Sequence, residues 1–380
     1  MTGMTTANHV PNIRIALPFS FIYSARPPPT LRPARSPMRT ALKLLLLLAI
    51  VPALPADESA RRFLRKPDAW FASAEAREVA ANILSFQTDA GGWPKNTDTI
   101  SKPYQGDRAK LEPTFDNKAT VDELRFMAKM FGATKDETYR KSFDKGLAYV
   151  LAAQYPNGGW PQFFPLRKGY YDHITFNDDA MARVLTLVRE VATEKPYGFL
   201  DAKTRDACRQ AFDRGIACVL KCQIVVDGKP TVWCAQHDEH TLAPAKARKY
   251  ELPSFSGFES VGLVRLLMSL EKPSPEIRAA IEGAVAWFES HKVTGYRLDT
   301  EKDKDGKDNR VMVPDPKAPA LWARFYDLKT GQPFVCDRDG IPKPKLADIG
   351  SERRNGYSWF GEYARDLLAK DYPRWKQANR

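Results

Sequence analysis

Three times in this chain a helix-like run ends at glutamine, turns, and reaches tryptophan. Ile83-Leu84-Ser85-Phe86-Gln87 leads through Gly91-Gly92 to Trp93-Pro94-Lys95. Leu151-Ala152-Ala153-Gln154 leads through Gly158-Gly159 to Trp160-Pro161-Gln162, and Cys218-Val219-Leu220-Lys221-Cys222-Gln223 leads more loosely to Trp233. The glutamines lie 67 and 69 residues apart, and a fixed period means repeated supersecondary units. Gly-Gly supplies the left-handed conformations that end a helix, and proline bars immediate re-entry.

A second helical pattern follows each turn. The expected pairs run from Glu75 to Phe86 and Val121 to Phe131, Phe143 to Gln154 and Asp179 to Val191, and Thr204 to Gln223 and Phe258 to Leu270. A further helix is expected from Pro275 to Ser290 and a last one from Glu362 to Lys370. Few stretches alternate with the period of a strand. Helix pairs joined by long loops predict a closed all-α toroid of the α/α type, with one decorated face, rather than an open solenoid. The tryptophans fit two roles, as structural stops or as surfaces on which sugars stack. Residues 301 to 316 are charged and rich in Gly and Pro, so they read as loop. Short aromatic strands around Trp322 and Phe334, ending in Asp339-Gly340, follow.

Residues 38 to 56 have the layout of a secretory signal: Arg39 and Lys43, an apolar core from Leu44 to Val51, then small residues at Ala53 and Ala56. Residues 1 to 37 read as a disordered tail or a mis-assigned start, and residues 57 to 380 as one domain. Secretion or a periplasmic location is expected, with no membrane span once the signal is removed. The net charge is +12; removing residues 1 to 56 leaves 52 basic against 46 acidic residues, or +6. A mildly basic exported monomer suits an anionic polymer. No basic run with interleaved aromatics points to nucleic acid. The five cysteines form no paired Cys/His set and read as buried small hydrophobes.

Chemistry concentrates before the helices. Thr114-Phe115-Asp116-Asn117-Lys118-Ala119-Thr120 sets an acid and an amide in a loop that enters an amphipathic helix. Both are hard oxygen donors of the kind Ca²⁺ takes, and both equally suit a helix cap. Ile174-Thr175-Phe176-Asn177-Asp178-Asp179-Ala180 repeats the layout about one period later, so Asp116, Asn117 and Asp178 are placed to converge on one cation, with Asp179 a weaker substitute for Asp178. His237 and His240 are spaced i, i+3 but lack a third zinc ligand. No Gly-x-Ser-x-Gly elbow occurs in these loops.

With Trp233-Cys234-Ala235-Gln236-His237-Asp238 and Ala247-Arg248-Lys249-Tyr250-Glu251 added in the same order, residues 75 to 370 resemble the family 10 polysaccharide lyases, which are calcium-dependent pectate lyases. The resemblance implies an (α/α)₃ toroid with a central groove and cleavage of polygalacturonate by β-elimination. It implies Arg248 as catalytic base with Asp116 as the second catalytic residue, and Asp116, Asn117 and Asp178 as Ca²⁺ ligands, Asp116 and Asn117 also lying near the scissile uronate. Arg324 and Arg338 match arginines that grip substrate carboxylates, and Lys95 and Tyr357 are placed in the groove. Two other readings stay open: a toroid glycoside hydrolase using Asp116 with Asp178 or Asp238, and a non-catalytic binder of acidic polysaccharide.

Overall fold

The computed structural model describes residues 59–379; the expected tail and signal segment lie outside them. Seven helices carry the architecture: α1 (Ala74–Ser85), α2 (Val121–Thr134), α3 (Glu137–Ala152), α4 (Ala180–Thr193), α5 (Ala202–Cys222), α6 (Glu259–Met268) and α7 (Pro275–Ser290). They match the sequence pattern to within a turn at α1, α2 and α4 to α7, while α3 begins earlier, at Glu137. The helices α2, α4 and α6 are buried over most of their surface and pack against one another in turn. In contrast, α1, α3, α5 and α7 bury one face and form the outer layer. This is the expected α/α toroid of helix pairs. Among the described residues, no helix is long and apolar enough to cross a membrane.

The glutamine and tryptophan of each turn explain the repeat physically. The indole N–H of Trp93, Trp160 and Trp233 donates to Ile83, Val150 and Val219 in the preceding outer helix, at 2.7–2.8 Å. All three rings are fully buried, so they are structural stops and not sugar platforms. Gln87 Nε2 donates to Gly91 O of its own turn and to Ser142 O of α3, and Gln154 does the same to Gly158 O and Ala211 O of α5. Gln223 bridges Thr231 O and Ala280 O of α7. Each glutamine thus ties its own turn to the next outer helix, its amide donating to a carbonyl of each. Gly91 and Gly158 sit at φ +112° and +94°, where a Cβ would meet Lys145 O at 2.5 Å and Arg214 O closer still. Only glycine allows that approach.

The structure holds a fourth such unit. Trp322 Nε1 donates to Phe288 O at the end of α7, and Phe115, Phe176 and Gly257 donate their N–H groups to Gln162, Ala235 and Arg324, each two residues past a buried tryptophan. The long excursion between α7 and Trp322 hides this unit. That excursion is a correction: Tyr296–Lys302 and Asp308–Pro314 pair as an antiparallel hairpin where loop was expected. Neither face is fully buried, so no apolar alternation marks the strands. The short aromatic strands form as expected, Phe325–Tyr326 lying between Phe255–Ser256 and Pro333–Cys336. The final helix lies later than expected: Leu367–Asp371 is a wide π-type turn, and Tyr372–Ala378 continues it as α-helix. All five cysteines are buried and unpaired.

Candidate active site

Two copies of one unusual turn open the inner helices α2 and α4 and pack against each other. Asn117 (φ 49°, ψ 36°) and Asp178 (φ 50°, ψ 35°) both adopt the left-handed conformation, and the next residues, Lys118 and Asp179, also take positive φ. Asn and Asp tolerate it because their short polar side chains can bond locally, and strained backbone of this kind gathers at functional sites. The backbone register pairs Asn117 with Asp178 and Asp116 with Asn177. The acids of the two turns, Asp116 and Asp178, are therefore not at equivalent positions. Even so, all four oxygen-bearing side chains belong to two adjacent turns.

Asp116 is 4 % exposed. Its Oδ2 accepts from Lys95 Nζ at 2.5 Å and Gln162 Nε2 at 2.6 Å, and its Oδ1 accepts from the Asn117 backbone N–H at 3.0 Å. Asn117 Nδ2 donates to Asn96 Oδ1 at 2.7 Å. Asp178 Oδ2 accepts from Asn177 Nδ2 at 2.7 Å, and its Oδ1 from Arg324 at 3.2 Å. Asp179 lies toward Gly262 of α6 and Arg183, away from this arrangement.

Arg324 is buried at the floor of the site. It pairs with fully buried Glu259, bonds Asn177 and Asp178, and lies over Phe258 and Tyr357 at 4.8 and 4.7 Å. Burial pulls its pKa down, but Glu259, Tyr357 and Asp178 outweigh that and keep it cationic. Arg248 is half-exposed. Its Nε and Nη2 meet Glu251 at 2.8 and 2.5 Å, and its guanidinium lies over Tyr250 and Tyr357 at 5.0 and 5.6 Å. Desolvation opposes its charge, but the two-pronged bond to Glu251 prevails and raises its pKa. The Tyr357 hydroxyl donates to Glu251 at 2.7 Å, so its ring is the wall between Arg248 and Arg324 and its polar end is already used. Arg338 sits outermost, in a two-pronged pair with Glu352 at 3.0 Å.

Three participants escaped the sequence reading. Arg353 lies over Tyr250 at 4.6 Å beside Arg248 and shares Glu352 with Arg338, which makes a row of arginines; the run Glu352-Arg353-Arg354 was its only trace. Glu259 is the buried counter-ion of Arg324. Glu123 lies 3 % exposed in the first turn of α2, its Oε2 without a partner. Burial first, then the Asp122 charge, pushes its carboxyl up to about 8. The spacing Thr120-x-x-Glu123 is that of a capping box.

The zinc spacing comes apart. His237 is fully buried, accepts from Cys234 N–H at Nε2 and donates from Nδ1 to Leu242 O; burial pushes its pKa down to about 4. His240 stands exposed. The one group of three His, Cys, Asp or Glu donors close enough to share an ion, among the described residues, is His173, Asp238 and Glu239.

A helical toroid whose face carries paired carboxylates and a row of arginines belongs to the enzymes that act on acidic polysaccharides. Residues 87–368 match the model of the pectic acid lyase family, and the chain belongs to that family. A family 10 polysaccharide lyase from Cellvibrio cellulosa is 35% identical over 84% of this chain and 97% of its own, with a TM-score of 0.71. A point mutant of the Cellvibrio cellulosa family 10 lyase, solved in complex with trigalacturonic acid, is 34% identical over 83% and 97%, also with a TM-score of 0.71. No curated protein matches the chain. The chain is a pectate lyase by family.

Proposed function

We propose that residues 57–380 form a single secreted catalytic domain, exported by the segment 38–56, that cleaves polygalacturonate by Ca²⁺-assisted β-elimination. The observation that carries this reading is the pair of left-handed turns packed together, linked to Arg248 through Arg324 and the Tyr357 ring. The donors there are all hard oxygens, from Asp116, Asn117 and Asp178, and Asp116 Oδ1 meets only a backbone N–H, so the residues fit Ca²⁺. Bound there, the ion would neutralise the substrate carboxylate and so acidify the neighbouring C5–H.

Arg248 takes the C5 proton, the C4–oxygen bond breaks, and its electrons leave with the departing sugar while a C4–C5 double bond forms. Glu251, braced by Tyr357, orients the guanidinium and holds it charged at rest. The neutral base is therefore scarce, and its population grows tenfold per pH unit below its pKa. Turnover rises into alkaline pH for that reason. Lys95 and Asn117 line the scissile uronate, Arg338 and Arg353 take carboxylates along the chain, and Arg324 fixes Asp178 from below.

The test is to incubate the enzyme with polygalacturonate, with Ca²⁺ or with a chelator, and follow ultraviolet absorbance. Elimination gives an absorbing unsaturated product that the chelator abolishes. New reducing ends without that absorbance would mean hydrolysis, and intact polymer would mean a binder.

A further inference from the structure

Beside Lys95 opens a cavity of about 370 Å³, of a size common to ligand sites, whose other lining residues have no part in the chemistry above. Lys95, Lys110 and Arg167 bring positive charge to it, and Phe163, Tyr170 and Tyr171 bring aromatic faces. It is joined to the proposed site at two places. Lys95 also bonds Asp116, and the Tyr171 carbonyl accepts from the N–H of Gln162, whose amide donates to Asp116. Tyr170, at the far wall, lies within the field of Arg248 and Glu251.

Arg167 sits against two rings that stand nearly perpendicular to each other, 4.5 Å from the centre of Tyr171 and 5.3 Å from that of Phe163. One nitrogen, Nη1, meets Glu112 at 3.0 Å, and both side chains of that pair are well exposed. An exposed pair of this kind is weak, so a stronger anion can replace Glu112. A guanidinium seated against aromatic rings still has its fork of donors to offer a carboxylate. Sugar rings present C–H faces that pack on aromatic side chains, while their carboxylates need cations; this cavity supplies both.

We propose that the cavity is an additional subsite for an anionic sugar, in which Arg167 takes the carboxylate of a uronate lying beyond the sugars at the catalytic residues, and Glu112 is the resident competitor it displaces. This rests on the substrate reading above and extends it to chain-length preference. Atoms that react are not involved, so Arg167 is a binding residue and not a catalytic one.

The experiment compares Arg167→Ala and Glu112→Gln with wild type on trigalacturonate and hexagalacturonate, reading kcat/KM and, by calorimetry, affinity. Loss of one charge-assisted two-pronged contact should lower hexamer affinity and kcat/KM about tenfold in Arg167→Ala and leave the trimer unchanged. Glu112→Gln should raise hexamer affinity about two- to fivefold, because the competitor is gone. Equal losses on both oligomers, or no loss on the hexamer, would overturn the subsite, as would a Glu112→Gln variant that binds the hexamer no better. Calorimetry separates this from the reaction itself: a wild type that binds the hexamer through Arg167 but forms no unsaturated product would keep the subsite and refute the lyase chemistry.

Discussion

Glu123 links the start of α2 to pH. Its carboxyl is fully buried and titrates near 8 in the fold, against 4.5 in an exposed chain. A raised acid stabilises the fold fully below its unfolded value and loses that contribution as pH climbs through its folded value. At 1.36 kcal/mol per tenfold change in proton affinity, the whole difference is roughly 5 kcal/mol. Most of it should disappear between pH 5 and pH 8. Glu123→Gln keeps the shape and removes the titration. It leaves an amide where Oε2 finds no partner, which costs about 1–3 kcal/mol at every pH. Urea titrations of both proteins at pH 5, 6, 7 and 8 should therefore cross: the variant weaker at pH 5, stronger at pH 8. A stability difference that stays constant over that range, or moves toward the wild type as pH rises, would refute the argument. The consequence for function is direct, because α2 begins directly after the Asp116–Asn117 turn, and the alkaline conditions that favour an arginine base are those in which this helix start is least secure.

Two further substitutions separate fold from site. Glu259→Ala strips the buried partner from Arg324 and should cost about 3–5 kcal/mol in a denaturant titration; a loss below about 1 kcal/mol would mean that Asp178 and Asn177 already satisfy the arginine. Asp178→Asn removes one charge from the turn and should raise the Ca²⁺ concentration for half-maximal activity more than tenfold with thermal stability little changed, and an unaltered Ca²⁺ response would take Asp178 out of the cation site.

The periodic parts of the molecule were legible because they repeat a physical need. Each turn must close one helix and tie itself to the next outer helix, and those duties call for the same glutamine and tryptophan in all three, with Gly-Gly in the first two. The unit at Trp322 was hidden because its approach runs through a hairpin with neither face fully buried, which leaves little apolar rhythm. At the site, the sequence marked the two turns that carry Asp116, Asn117 and Asp178, and those turns do meet, while Arg248 was singled out only by the family resemblance. Their register could not be read, since it is fixed by which residue takes the left-handed conformation rather than by which is acidic. Arg324, Arg338 and Tyr357 were recognisable as residue types, but their depth was not: Arg324 and Tyr357 lie buried and brace Asp178 and Glu251, while Arg338 stands at the rim. Glu259 and Gln162 matter through partners distant in sequence, Arg324 and Asp116, and Glu251 joins its near neighbour Arg248 to the distant Tyr357.

The account turns on Arg248 as the group that removes a proton beside the paired turns. The direct measurement is the rate of unsaturated product formation by Arg248→Ala on polygalacturonate with Ca²⁺ across pH 7 to 10, alongside its affinity for the oligomer. The account predicts turnover lower by several orders of magnitude, with no alkaline rise, while binding and the unfolding transition stay close to wild type. Turnover near the wild-type rate, with the same climb in pH, would contradict it.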